Sequence, residues 1–313
     1  MIDGFLVVDK PSGITSHDVV AILRRTLHQK KIGHTGTLDP FATGVLPIAL
    51  GEGTKAIPYL DESIKVYQGV MRLGISTDTL DFTGNIVSQK ECSHLTDEMI
   101  HAVISGFTGE LVQLPPMFSA IKQGGVPLYK LARKGETVER KERGIVIHSL
   151  VIDRISLPEV AFTVRCSRGT YVRTLADDIG QALGVGAHLT ALCRTVSGSF
   201  CLTDAITLDE LSSPGLDDLL QRRVVSIREA LAGLLELELT ESGCKRLRNG
   251  IAPTLNDLEP LPGKITHAGR VKLIFNGELQ AVGDILHPEH TSAHFGLKLC
   301  RVFNLLSPLH APV

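Results

Sequence analysis

Asp39 stands directly before Pro40 in the run Gly33-His34-Thr35-Gly36-Thr37-Leu38-Asp39-Pro40-Phe41-Ala42-Thr43-Gly44-Val45-Leu46-Pro47. Proline restricts the residue before it to extended backbone angles. The surrounding glycines permit turns and close backbone approach. A carboxylate pinned in this way has a fixed place, as a nucleophile or an electrostatic stabiliser requires. Taken alone, an Asp-Pro pair more often marks a structural Asx turn. A second concentration of polar side chains is Cys166-Ser167-Arg168-Gly169-Thr170-Tyr171-Val172-Arg173-Thr174-Leu175. Two arginines and a tyrosine at a strand-to-helix junction suit an anionic partner, with Thr170 as the N-cap. By itself, this segment reads better as a pair of solvated arginines.

Other chemistries lack their signatures. The six cysteines include no C-x-x-C and none stands at zinc-ligand spacing from a histidine, so reduced thiols and no metal site are expected. Gly51-Glu52-Gly53-Thr54-Lys55 lacks the Walker spacing, and Gly33-x-x-Gly36 is no dinucleotide fingerprint. The N-terminus lacks a charged stretch followed by a long apolar one, and no apolar run reaches the roughly 20 residues of a membrane span. A cytoplasmic protein is expected.

The elements that must hold these residues follow from pattern. Residues 4–9 read as a short buried strand closed by the Lys10-Pro11-Ser12-Gly13 turn. A helix is predicted from about Ser16 to His28, with Thr15 and Asp18 as a capping box. Residues 33–54, rich in Gly, read as loop. A strand over 65–74 puts Tyr67, Met71 and Leu73 on one face, and a helix is predicted over Thr96–Phe107. Strands are predicted at 144–156 and 159–167, and helices at about 170–184, 188–194 and 224–234. Past Leu235 a short helix (about 240–249) precedes RVKLIF and LQAVGDIL. These join at Asn276-Gly277, a strong hairpin signal, and FGLKLCRVF follows.

At 313 residues, two domains are the default. The formal net charge of −2 argues mildly against a nucleic-acid partner. Charge is unevenly spread, however. Residues 113–144 hold seven Lys/Arg (Lys122, Lys130, Arg133, Lys134, Arg140, Lys141 and Arg143) against three Glu. A segment this long with little core-type pattern is usually functional or mobile.

Several of these segments, in order, resemble the pseudouridine synthases of the TruB type. The likeness runs through VVDKPSG-ITSHDVV (7–20), GHTGTLDPFATGVLPIALGEGTK (33–55), Lys65-Val66-Tyr67 with Leu73-Gly74, QLPPMFSAIK (113–122), CSRGTYVRTLADDIG (166–180) and GAHLTALCRTVSGSF (186–200). It spans about two thirds of the chain. One departure is visible: the family usually has Leu-Arg-Arg where this chain has Leu192-Cys193-Arg194, which puts one possible phosphate contact in doubt.

The resemblance implies an α+β fold, with a mixed, largely antiparallel central sheet in a catalytic domain (1–235), a mobile RNA-binding insertion (113–144) and a β-rich, PUA-like module (236–313). It implies isomerisation of the T-loop uridine of tRNA (position 55), with Asp39 as the essential carboxylate. Arg173 becomes its charge partner and Tyr67 the ring stacked on uracil, with a hydroxyl suited to the C5 proton. Tyr171 and Leu192 line the pocket, His34 fills the space left by the extruded base, and Lys10, Gly36 and Thr37 contact substrate. Substrate and product are isomers, so no cofactor is needed. The insertion and the CSRGTYVRTLADDIG wording match the stand-alone bacterial type, which implies no guide RNA and a monomer. A small-molecule nucleoside hydrolase and a non-catalytic tRNA-binding or folding protein are the competing readings. Neither would need all of these residues.

Overall fold

The computed structural model describes residues 1–260, 268–287 and 296–305. A nine-stranded sheet forms its centre. Its main path runs Gly4–Lys10, Thr43–Leu50, Ala187–Ser197, Ile64–Leu73, Glu159–Ser167, Arg143–Ser156 and Gly109–Gln113. Ile32–His34 pairs with Thr43–Leu50, and Phe200–Cys201 with Ala187–Ser197. Only the contact between Ala187–Ser197 and Thr43–Leu50 is parallel, so the sheet is mixed and largely antiparallel, as expected.

Period-two alternation builds the middle strand. Lys65, Tyr67, Met71 and Leu73 are buried on one face of Ile64–Leu73. Three helices cover that face: Ser16–Thr26, Asp97–Ser105 and Val172–Ala182. The first begins at the expected capping box. Asp18 N donates to Thr15 Oγ1 at 3.1 Å, and Thr15 N to Asp18 Oδ2 at 2.8 Å. The second is capped by Thr96, which accepts from Met99 N. Among the described residues no helix is long and apolar enough to cross a membrane.

Four expectations give way. Residues 33–54 contain the Thr43–Leu50 strand, whose last seven residues are all buried. A strand covered on both faces reads as a continuous apolar run, without alternation. The helix expected at 188–194 is the strand Ala187–Ser197. Register shifts at Leu189/Ala191 and Arg194/Val196 break its alternation and leave Leu189, Leu192 and Val196 at helix-like spacing. Thr170 is not the N-cap: its hydroxyl donates to Ser167 O at 2.9 Å, and Tyr171 takes the cap position without a side-chain bond. The helix expected over 224–234 shrinks to Ile227–Ala230, preceded by Leu216–Arg223.

A second sheet orders its strands Leu235–Glu238, Gly269–Phe275, Glu278–His287 and Gly296–Val302. Asn276 and Gly277 both take positive φ at the hairpin between its two long strands, as the Asn-Gly signal requires. The parts of the 236–313 module at 261–267, 288–295 and 306–313 lie outside the described residues. Ile274, Leu279 and Val282 from this sheet, with Phe303 just past its last strand, pack with Phe5, Val7, Val45 and Ala49 of the large one.

Glu52 ties the end of the Thr43–Leu50 strand to Asn304, near the end of the described residues. Its carboxylate accepts from Lys31, from Lys55 at 2.7 Å and from Asn304 N at 3.2 Å. Burial pushes this carboxyl up, but the two ammonium groups and the Asn304 N–H outweigh it and hold it at about 2 against an ordinary 4.5. A depressed carboxyl stabilises the fold above its unfolded value and loses that contribution as pH falls toward the folded one. Glu52→Gln is therefore expected to lower Tm by about 2–4 °C at neutral pH, the shift that about 1 kcal/mol causes in a domain of this size. The gap should close between about pH 4.5 and 2, followed by circular dichroism melts across that window. A gap unchanged at pH 2 would refute the assignment.

Candidate active site

The loop carrying Asp39 is fastened by the turn that precedes the first helix. Ser16 Oγ accepts from Leu38 N at 2.9 Å and lies 3.3 Å from Leu38 O, and Ser12 Oγ donates to Phe41 O at 2.9 Å. Pro40 O accepts from Gly13 N at 2.8 Å and from Lys10 Nζ at 3.1 Å. Lys10 is fully enclosed, and its ammonium also donates to Pro11 O and Ile14 O, both at 2.8 Å. Burial pulls that ammonium down to about 8, against the pull of Asp39. Five contacts on residues 38–41 thus explain why this Asp is placed rather than solvated. Gly44 closes the far end with φ near +98°, where a Cβ would lie 2.2 Å from Arg194 O.

Arg173 enters on the first turn of the Val172–Ala182 helix and is 3% exposed. Its Nη2 donates to Asp39 Oδ1 at 2.9 Å, and its Nε lies 2.8 Å from Oδ2. Nη1 donates to Thr79 O and Nη2 to Phe118 O, both at 2.8 Å, while Asp81 Oδ2 stands 3.6 Å from Nη1. Asp81 is buried and fixed by its own turn, accepting from Thr79 Oγ1 at 2.9 Å and Thr83 N at 3.0 Å. The guanidinium therefore sits between two carboxylates, one of them reaching the cleft. Burial raises the Asp39 carboxyl, Arg173 opposes that rise and Asp81 adds to it; the net direction is upward.

Beside this pair lies a cleft of about 260 Å³. Asp39, Arg173, Tyr67, Tyr171 and Leu192 line it, with Gly36 and Thr37 on its loop side. Tyr67 and Leu192 come from neighbouring strands in the middle of the sheet. Burial pushes the Tyr67 phenol up, so it is protonated at neutral pH. Tyr171 is held by Gln113, whose side-chain amide accepts from Tyr171 N at 2.8 Å and donates to Tyr171 O at 3.1 Å.

Seven of the nine residues singled out in the sequence thus meet at one cleft. Lys10 does not: its ammonium is spent on backbone carbonyls, so it holds the loop rather than touching substrate. His34 does not line the cleft either. It sits half-buried on the strand leading into the loop, and burial lowers its pKa, leaving a neutral ring. Cys193 faces a second groove on the other side of its strand, so the charge absent there is not absent from the cleft. Sequence reasoning missed Asp81, Gln113 and the central place of Arg194, which also lines the cleft. Thr77-Asp78-Thr79-Leu80-Asp81 reads as an ordinary polar turn; the only local signal is its density of Asp and Thr.

The fold is that of the pseudouridine synthases. It matches the Cbf5 chain in the crystal structure of the archaeal box H/ACA sRNP Nop10-Cbf5 complex with a TM-score of 0.71, at 27% identity over 96% of this chain and 85% of that one. The Cbf5-Nop10-Gar1 complex gives 0.70 at 28% identity, over 96% and 84%. Residues 24–172 match the N-terminal domain of the TruB family of pseudouridylate synthases, and 173–232 match the C-terminal domain of tRNA pseudouridylate synthase B. Two relatives named tRNA pseudouridine synthase B align along nearly the whole chain. The one from Geotalea uraniireducens is 54% identical over 97% of this chain and 98% of its own. The one from Geobacter sulfurreducens is 55% identical over 96% and 100%. The chain belongs to the TruB family and is a pseudouridine synthase.

The position of Asp81 generates a signed expectation. Its charge raises the Asp39 carboxyl, so Asp81→Asn should lower it and move the acid limb of the pH–rate profile to lower pH. The same change removes one anchor of Arg173, and turnover at neutral pH should fall by about 10–100-fold. Single-turnover rates from pH 4.5 to 8.5 test both. An acid limb that moves upward would contradict this electrostatic account.

Proposed function

We propose that the chain converts the T-loop uridine of tRNA, position 55, into pseudouridine, with Asp39 as the reacting carboxylate. One observation carries the reading: the Asp39–Arg173 pair opens onto a cleft of nucleoside size, beside the Tyr67 ring. The reaction breaks the C1′–N1 bond, turns the uracil and joins C5 to C1′. A carboxylate can attack the ring or the sugar carbon, or stabilise positive charge at C1′. Asp39 is one-third exposed at its side chain, while Arg173 behind it is not, so the carboxylate faces the substrate and the cation supports it from within. Its raised pKa leaves a poorly solvated, more reactive anion once deprotonated.

Reaching C1′ requires the nucleotide to leave its stack. Tyr67 stacks on the extruded uracil, and its hydroxyl handles the C5 proton. Tyr171 and Leu192 bound the pocket. The neutral His34 ring suits stacking in the space the base leaves. The 113–144 insertion exposes six of its seven basic side chains, all but the half-buried Arg140, which donates to Pro115 O at 2.9 Å. These can neutralise phosphates despite the acidic chain average. The module from 236 onward supplies a PUA-like RNA surface beside the 1–235 catalytic domain. The enzyme works as a single chain without guide RNA, in the cytoplasm where tRNA is modified.

Unmodified tRNA carrying tritium at uracil C5 tests the proposal. Tritium release is expected from the wild-type chain, and none from Asp39→Asn or from tRNA with cytidine at position 55. Free uracil would indicate a hydrolase, and binding without release a non-catalytic tRNA-binding protein. Arg173→Lys keeps the charge but loses the planar fork; its rate should fall at least about 100-fold. A near wild-type rate would remove Arg173 from the mechanism.

A further inference from the structure

Among the described residues Arg194 is the largest fully buried side chain, at 2% exposure, yet it lines the cleft. It stands directly opposite Tyr67 on the neighbouring strand. Its Nε donates to Val45 O at 2.8 Å and its Nη2 to Gly36 O at 3.0 Å. Glu62, the other acid beside Asp39 on the cleft wall, is engaged with Lys65 at 3.3 Å. Among the described residues no carboxylate lies within ion-pair distance of Arg194. Enclosing a guanidinium without a counter-ion is costly, and an apolar side chain of similar volume would serve packing better. Its backbone is seated on Gly44, three residues past the loop that carries Asp39.

We propose that Arg194 is a positioning residue for the isomerisation: it locks the Tyr67 ring and hydroxyl to the Gly36 end of the Asp39 loop. The carbonyl bonds fix the guanidinium plane from two separate segments. The guanidinium and the Tyr67 phenol line the same cleft from directly opposite positions on neighbouring strands, and the cation pulls the phenol down against the upward push of burial. Ring, hydroxyl and carboxylate then keep one geometry while the uracil turns between them. Placement to within about half an ångström is what such a step demands. The inference rests on the role given above to Tyr67, and its test separates the two.

The test is a double-mutant cycle of Arg194→Met and Tyr67→Phe, read as kcat and KM on tRNA. Arg194→Met should lower kcat about 100-fold with KM within about 3-fold. In the Tyr67→Phe background the same change should cost less than about 3-fold, because the hydroxyl it holds is gone. Losses that multiply in full would overturn the proposal, as would a raised KM with unchanged kcat, the mark of a plain substrate contact. If Tyr67→Phe alone runs at the wild-type rate, the role of Tyr67 fails instead. Arg194→Lys carries the same cycle should the Met variant not fold. As a readout that general loosening would not give, the 13Cζ resonance of Tyr67, identified by its loss in Tyr67→Phe, should move in Arg194→Met while the resonances of Tyr59 and Tyr129 stay in place.

Discussion

One buried guanidinium sets the requirements for the rest of the site. Arg173 offers five donors in a rigid plane and has almost no water to satisfy them. Its acceptors come from three distant stretches of chain: Asp39, the turn with Thr79 and Asp81, and Phe118 at the root of the basic insertion. Leaving such a cation unpaired would cost more than a single mutation normally does. The fold must therefore bring a strand-to-helix junction and all three stretches to one point. Leu80, between the two contacting residues of the turn, adopts a left-handed backbone with φ near 63°. A leucine in that region is strained, and here the strained residue aims a carbonyl and a carboxylate at the same guanidinium.

That geometry creates a balance at Asp39. A carboxylate paired only with arginine would be too stable an anion to react readily, and one merely buried would be protonated. Asp81 sits behind Arg173 and competes for its charge, while burial withholds water from Asp39. Burial, aided by the field of Asp81, outweighs the stabilisation that Arg173 gives. Tyr67 meets a similar opposition of burial and a nearby cation on the other wall of the cleft. Both groups are held above their ordinary values by burial and checked by an arginine, and both face one small cavity.

Much of this was legible in the residues. Thr15 and Asp18 announced the helix start, Asn276-Gly277 the hairpin, and the alternation of Tyr67, Met71 and Leu73 the strand that floors the cleft. Asp39 and Arg173 were found, and the structure brings them together. What stayed hidden shares a cause: tertiary partners supplied the information. Val45 to Leu50 looks like part of a glycine-rich loop until strands cover it on both sides. Leu189, Leu192 and Val196 mimic a helix because two bulges shift the pleat. Lys10 reads as a turn residue in contact with substrate, and only the carbonyls of Pro11, Ile14 and Pro40 show that it is a fastener. Asp81 carries only the weak local mark of a turn dense in Asp and Thr, since its importance lies in a side chain 92 positions later.

The contrast between an acidic chain average and an RNA substrate resolves in the same way. Beyond the cations scattered over the surface, positive charge is used in two modes. Arg173, Arg194 and Lys10 are enclosed and bonded to carbonyls or a carboxylate, so they shape the loop that carries Asp39 and contribute little to long-range attraction. The insertion exposes six cations within 22 residues, where anions can reach them and salt can screen them. These two populations meet at Phe118, whose carbonyl receives Arg173 Nη2 while its chain continues into the basic segment. Any shift of this segment therefore acts on the same guanidinium that pairs with Asp39. Net charge is silent on this arrangement, because it adds the fasteners and the contacts into one sum.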